Sequence, residues 1–139
     1  MPNVANEDLM IEFTMTAGPP EALSAGPQEV PLSSSIVGIN ATKASVSGKK
    51  VVVSTITTTF VGDCPYASLA TLHTFVSGAG SMSAGATKNT ADTLPVFLEG
   101  DIGTCAGPTG FTNNNTGAPV PCACTLKISS AGQEKVKGI

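Results

Sequence analysis

Four cysteines and one histidine are the side chains in this sequence that could bind a metal ion. They are Cys64, Cys105, Cys122, Cys124 and His73. A structural zinc or iron site takes four ligands, and thiolate sulfur and imidazole nitrogen both suit it. Residues 121–128 alternate with a period of two, so Cys122 and Cys124 share one face of an expected strand. We therefore expect one structural zinc or iron ion on the four thiols, with His73 as a substitute ligand.

Two other interpretations of the cysteines stay open. Cys64, Cys105 and the pair Cys122 and Cys124 could form disulfides after export, or all four could be inert buried thiols. The spacing matches none of the strong Cys-x2-Cys zinc patterns. His73 falls on the apolar side of an expected helix, where a histidine is more often a core side chain than a ligand. The spacing alone does not choose among metal ligation, disulfides and free thiols.

The sequence offers little for catalysis. Cys64 and His73 would lie about 13 Å apart along one short helix, too far for a nucleophile and its base. Glu99 and Asp101 lie in an expected Gly-rich turn, where carboxylates are usually solvated or accept hydrogen bonds from turn amides. No esterase, phosphate-binding or metalloprotease motif occurs. We therefore expect that the protein is not an enzyme.

The composition predicts a small, polar, structural protein. The chain has 139 residues, 7 of them basic and 10 acidic, with a net charge of −3. This length suits one domain over residues 1–139. The scattered lysines and negative charge argue against nucleic-acid binding. No segment approaches the roughly 20 apolar residues of a membrane span, and the N-terminus lacks the regions of a signal peptide. We therefore expect synthesis in the cytoplasm without a general secretion signal.

Alternating and β-branched segments predict a mainly β fold. Strands are expected at residues 9–15, 35–39, 96–98 and 121–128. The strongest signal covers residues 44–61, where a hairpin turn is expected at Gly48 and Lys49. Branched residues on both faces of its second strand predict that this strand is covered on both sides. Residues 1–40 are expected to form a peripheral or docking layer.

One short helix and two loops complete the expected elements. Residues 64–76 show helical spacing of apolar residues, with Asp63 as N-cap and Pro65 in the first turn. Residues 77–93 and 106–117 are small and polar, which predicts loops, or chain held in place by its neighbours rather than by its own core. Segments 45–53, 96–103 and 126–139 each combine a short β run, a Gly turn and a second run. They predict three hairpins about a pseudo-threefold axis.

With these features the sequence resembles the PAAR-like proteins, which form the tip of the central spike in contractile injection systems. Such systems include type VI secretion, phage tails and tailocin-like particles. The resemblance rests on short motifs spread over most of the chain: the strand at 9–14, the Gly-Asp-Cys-Pro turn at 62–65, the Leu-x-Gly-Asp turn at 98–101, Pro-Cys-x-Cys at 121–124 and Ile-Ser-Ser-Ala-Gly-Gln at 128–133.

The sequence also departs from that family. The Pro-Ala-Ala-Arg motif is absent, and the chain contains no arginine. Members of the family gather several histidines and one cysteine around a metal near the apex, whereas this chain has one histidine and four cysteines. Any metal site here would therefore be rich in thiolates.

The resemblance implies a small conical fold of short hairpins in pseudo-threefold arrangement, with one short helix. Its broad base would cap a homotrimeric VgrG-like or phage-type spike protein, and its narrow end would help to puncture the target membrane mechanically. An effector or cargo would be a further partner. The implied location is the apex of an injection particle that assembles in the cytoplasm and is delivered outside the cell. The alternative is a secreted or surface β-sandwich adhesin or decoration module stabilised by disulfides.

Overall fold

The computed structural model describes residues 1–138 and confirms a mainly β fold. The strands are β1 (Met10–Ala17), β2 (Gln28–Pro31), β3 (Ile36–Val46), β4 (Lys49–Val61), β5 (His73–Phe75), β6 (Ser77–Ser83), β7 (Thr90–Ala91), β8 (Leu94–Pro95), β9 (Ile102–Asn113) and β10 (Pro119–Ser130). A four-residue helix, α1 (Pro20–Leu23), follows β1, and a short 3-10 turn spans Ala67–Leu69.

One antiparallel sheet dominates the architecture. Its strands run in the order β2-β1-β10-β9-β6-β4-β3, and β5 pairs with the far part of β9. The sheet curls into a half-barrel, so its inner face encloses the main core. The two edge strands, β2 and β3, follow each other in the chain and are joined by residues 32–35. Strands β7 and β8 form a separate small hairpin.

Strands β1 and β10 each bury one face, as their alternating sequences predict. Each strand places every second side chain in the core, because successive side chains of a strand point to opposite faces. The buried sets are Leu9, Ile11, Phe13 and Met15 on and just before β1, and Cys122, Cys124, Leu126 and Ile128 on β10. The prediction that Cys122 and Cys124 share a face is therefore confirmed.

The expected hairpin at residues 44–61 is present as β3 and β4. Its turn falls at Ser47 and Gly48, one residue before the expected position, and both residues have positive φ (55° and 79°), as a tight hairpin turn requires. Val52 lies in the main core, whereas Val51 and Val53 pack in a second core. The start of β4 is therefore covered on both sides, as its branched residues predict.

The second core is closed by Val4 near the N-terminus and by residues 96–98. Val4 forms a bridge with Leu98, and Val96 forms one with Val53. Residues 96–98 therefore run extended against β4 but do not make a full strand. Gln133 ties these parts together, because its Nε2 donates to the carbonyls of Val4 and Val136 and its Oε1 accepts from the amides of Lys135 and Val136.

The expected helix at residues 64–76 was wrong. The segment forms the 3-10 turn and then strand β5, in which Phe75 pairs with Phe111 of β9 and meets its ring edge to face at 5.2 Å. This aromatic contact and β pairing outweigh the helical spacing. The helix that does form, α1, begins at Pro20, a residue tolerated in a first turn. In residues 1–138 no helix has the length and apolar character that crossing a membrane would need.

The loops expected at residues 77–93 and 106–117 were also wrong, because β6 and most of β9 lie there. These two strands pair so closely that their sequences must be small. Gly80 lies opposite Cys105, and a Cβ on Gly80 would collide with the carbonyl oxygen of Thr104 and come 2.6 Å from the Cα of Cys105. Glycine and other small residues make these two strands hard to predict from sequence. The close pairing of β6 with β9 nevertheless requires them.

The expected pseudo-threefold repeat is not formed in residues 1–138. Only the first segment is a hairpin. In the second, residues 96–98 face β4, whereas β9 pairs with β10 and β6. In the third, β10 ends at Ser130, and the following chain returns past Asn3. Residues 1–40 supply β1, which is paired on both sides, and edge strand β2.

Candidate functional site

The structure brings all four cysteines to one small cavity inside the half-barrel. Cys105 of β9 lies directly opposite Cys124 of β10, and Cys122 is two residues away on the same face. Cys64 reaches the cavity from the loop after β4. The cavity measures about 20 Å³, and its other lining residues include Phe13, Met15, Phe60, Tyr66, Phe75 and Phe111. Sulfur atoms and aromatic rings therefore surround it.

Glycines on β6 make room for the thiols. One inward-facing row crosses the sheet through Thr58, Gly80, Cys105, Cys124 and Met15, each opposite the next. Gly80 leaves the space beside Cys105 without a side chain. The register of five strands therefore decides that the cysteines converge, although they are up to 60 residues apart (124 minus 64) in the chain.

The thiols are free and electrically neutral near pH 7. Burial raises the pKa of Cys64 to about 11 and that of Cys124 to about 12. Burial also raises the pKa values of Cys105 and Cys122. Since the thiolate is the reactive form, the raised pKa values make the four thiols weak nucleophiles near neutral pH.

The structure does not bring the five expected ligands together at one point where they could bind the same metal ion. Within residues 1–138 no group of three or more His, Cys, Asp or Glu side chains is arranged to hold a metal ion. His73 is separate from the thiol cavity, and its Nδ1 lies 2.6 Å from Oε1 of Glu21. The structure thus brings together the four cysteines and leaves His73 with an acidic partner.

The pairing register explains why Cys105 and Cys124 remain thiols. Ile128 donates its amide to the carbonyl of Asp101 at 2.9 Å, and alternate pairs along this ladder share that hydrogen-bonded type. Cys105 and Cys124 are such a pair. Directly opposite Cβ atoms are then about 5.5 Å apart, whereas a disulfide needs about 3.5–4.5 Å.

Burial of the thiols predicts a clear difference in reactivity. At pH 8 we expect an aromatic disulfide reagent to leave the folded chain almost unmodified, because the thiols are enclosed and their pKa values are raised. After denaturation four thiols should react per chain. The absorbance of the thiolate released from the reagent measures the number of reacted thiols in the folded chain and in the denatured chain. Two or more thiols reacting in the folded chain as fast as free cysteine would contradict this account.

The pair of His73 and Glu21 fastens helix α1 to β5. Glu21 Oε1 also accepts the amide of Leu72 at 3.3 Å. The hydrogen bond with His73 is the main cause that lowers the pKa of Glu21, and the backbone hydrogen bonds add to it. A carboxylate with a lowered pKa stabilises the fold at neutral pH and stops doing so once it is protonated.

This pair predicts a pH-dependent contribution to stability. Between the folded and unfolded pKa of Glu21 the unfolded chain binds more protons, so the contribution is lost as the pH falls below about 4.3. Glu21→Gln should therefore be less stable than wild type at pH 7, and the difference should shrink by pH 3. Urea midpoints at the two pH values measure it. A difference that is the same at both pH values would contradict a stabilising role for the Glu21 carboxylate.

The outer face of the sheet carries an array of uncharged side chains that no local sequence pattern indicates. One row, here called the hydroxyl row, crosses five strands, each residue opposite the next: Thr14, Thr125, Thr104, Ser81 and Thr57. Val37 on β3 extends it to the edge. With strands about 4.8 Å apart, the five hydroxyl groups span about 19 Å.

A second row, the alanine row, runs beside the first. Its members are Ala17, Ala123, Ala106, Ala79 and Thr59, again each opposite the next. The ten side chains of the two rows are small, and none is charged. Charges begin only in the next row, where Glu12 lies opposite Lys127. We refer to the two rows together as the smooth face.

Neither the thiol cavity nor the smooth face can be read from local sequence, because both depend on pairing between distant strands. The one local signal is the alternation of Thr or Ala with core residues in β4, β9 and β10. Comparisons with protein-family models, curated proteins and solved structures found no match for this chain.

Proposed function

We propose that this protein is a structural module that docks on a larger β-structured assembly through its smooth face. The assembly that suits the motif resemblance is the trimeric spike of a contractile injection system, whose tip this chain would form. One copy would sit at the apex of a VgrG-like or phage-type spike and help to pierce the target membrane when the system fires.

The observation that carries the proposal is the smooth face itself. Thr104 and Ala106 lie at its centre, are exposed, and are flanked on both sides by equally small residues. A partner surface can approach such a face closely, since no long side chain must be ordered and no charge must lose its water. A surface that only has to remain soluble would more usually carry charged residues.

The interior also suits a mechanical role. The hydrogen bonds of Gln133 and the pairing of β1 on both sides hold residues near both chain ends in the fold.

The alternative function is an adhesin or decoration module. It would use the same face but would be present in many copies on a particle, whereas a tip is present in one.

A charge placed on the smooth face tests the proposal. The probe is a purified trimeric VgrG-like spike protein, and affinity is measured by titration of the labelled full chain. We expect Thr104→Lys to weaken binding at least tenfold, because the lysine would lose water on docking. The matched control is Thr71→Lys, at an exposed residue outside the sheet. Equal binding by both variants would overturn the assignment of the face.

A further inference from the structure

The two edges of the main sheet are protected to different degrees. Edge strand β2 has only four residues, with Pro27 just before it, Pro31 at its end and Glu29 within it. Short length, prolines and charge are the usual means by which proteins block unwanted strand pairing. Edge strand β3 has 11 residues and presents exposed Val37 (54 %) and Ile39 (47 %) instead. Strand β3 therefore lacks the short length and the prolines of β2, although it carries Lys43 and its pairing with β4 shifts register after Gly38 and after Asn40.

The outward polar groups of β3 are occupied at its two ends. Thr59 donates its amide to the carbonyl of Ser35, so by alternation Val37 also faces β4, and Ile36 and Gly38 face outward. Ile36 exchanges both its backbone hydrogen bonds with Ser33. At the other end Thr42 donates its amide to Asp92 Oδ2 at 2.6 Å.

The middle of the edge is open. Val52, opposite Asn40, donates its amide to Ala5 and accepts one from Phe97, so its backbone is not available to Asn40. The backbone of Asn40 therefore points away from β4, as that of Gly38 does. These two residues offer two amides and two carbonyls in the spacing of a strand edge. We call residues 37–40 the open edge.

We propose that the open edge accepts an extended strand from the partner assembly, which adds one strand to the sheet beside β3. The inference rests on the proposed function and identifies how the partner binds. The accepted strand is short, because Ser33 and Asp92 limit the edge at both ends. It carries apolar side chains two residues apart on the face that meets Val37 and Ile39.

Geometry favours a partner assembly over a second copy of this chain, because two copies paired edge to edge through β3 would extend one sheet, with both smooth faces on the same side and neither covered. The smooth face measures about 20 Å by 14 Å, or roughly 300 Å², whereas a stable interface buries about 800 Å² per partner. Two copies meeting through this face alone would fall well short of that area. Val37 belongs to both the hydroxyl row and the open edge, so one partner can cover the smooth face and pair with β3 together. Charge also disfavours a second copy, since each chain carries −3.

The test combines binding with hydrogen exchange, and it uses the full chain and a purified trimeric VgrG-like spike protein. We expect the amides of Gly38 and Asn40 to exchange at least tenfold more slowly in the complex, because they become hydrogen-bonded. Ile39→Lys should weaken binding at least tenfold, since charged edge residues oppose pairing. The matched control Leu72→Lys changes an exposed apolar residue away from the edge and should bind as wild type does.

Three other outcomes are possible, and each leads to a different conclusion. A complex that forms without protection at residues 38 and 40, and that tolerates Ile39→Lys, would overturn strand addition and leave the docking function standing. Failure of the wild-type chain to bind the spike protein would overturn both. Protection of the same amides in the free chain, together with a dimer mass, would identify a second copy as the occupant and overturn the partner strand.

Discussion

Gly80→Ala is expected to destabilise the fold by about 3 kcal/mol or more, because it adds a methyl group where two strands pair closely. The added Cβ would meet backbone, namely the carbonyl of Thr104 and the Cα of Cys105, and neither can rotate away as a flexible side chain would. Relief would require β6 to separate from β9 at the centre of the sheet. Urea unfolding followed by circular dichroism measures the change.

Gly78→Ala is the matched control on the same strand. A Cβ there would lie 3.6 Å from the ring of Phe75 and 3.7 Å from Sγ of Cys122, which are ordinary contact distances. We expect this variant to be as stable as wild type or more stable by up to about 1 kcal/mol, because alanine restricts the unfolded chain. Similar losses in the two variants would mean that β6 and β9 are not paired in this register.

Tyr66→Phe is expected to cost about 1–3 kcal/mol although it removes a single oxygen atom. The Tyr66 hydroxyl accepts the amide of Met15 at 3.1 Å and lies within donating distance of the carbonyls of Phe13 (2.9 Å) and Gly26 (2.6 Å). The side chain is 2 % exposed, so water cannot replace these bonds. The loop after β4 should then detach from β1, and a lowered thermal midpoint should follow.

Thr74→Val is the control for the loss of the Tyr66 hydroxyl. It too deletes a hydroxyl that makes a hydrogen bond, here to Asn114 Oδ1 at 2.6 Å, but at an exposed position. Surface changes of this kind usually alter stability by less than about 0.5 kcal/mol. If both substitutions had the same small effect, the hydroxyl of Tyr66 would not be the link between loop and sheet.

Local alternation was enough to predict the parts of the fold that bury one face of a strand. It identified β1, the β3 and β4 hairpin and β10, with the shared face of Cys122 and Cys124. It failed at β6 and β9, because Gly80 and its neighbours are selected by a close contact between strands that are distant in sequence. Their composition is typical of loops, and only the register shows why it suits a strand.

In the candidate sites, too, local sequence predicts some features, and the others depend on pairing between distant strands. Alternation predicted only that Cys122 and Cys124 share a face, whereas strand pairing and the loop after β4 bring Cys105 and Cys64 to the same cavity. His73 lies apart from them beside Glu21, which is 52 residues earlier in the chain. The hydroxyl row involves five strands whose order in the sheet differs from their order in the chain. No local pattern can indicate which threonines become neighbours across that order.

The mass of the complex under native conditions tests the central claim most directly. The full chain would be co-expressed with a trimeric VgrG-like spike protein, and the mass of the purified complex would be measured by native mass spectrometry. The docking account predicts three spike chains and one copy of this 13.9 kDa chain. A folded monomer that shows no association with the trimeric spike would contradict it.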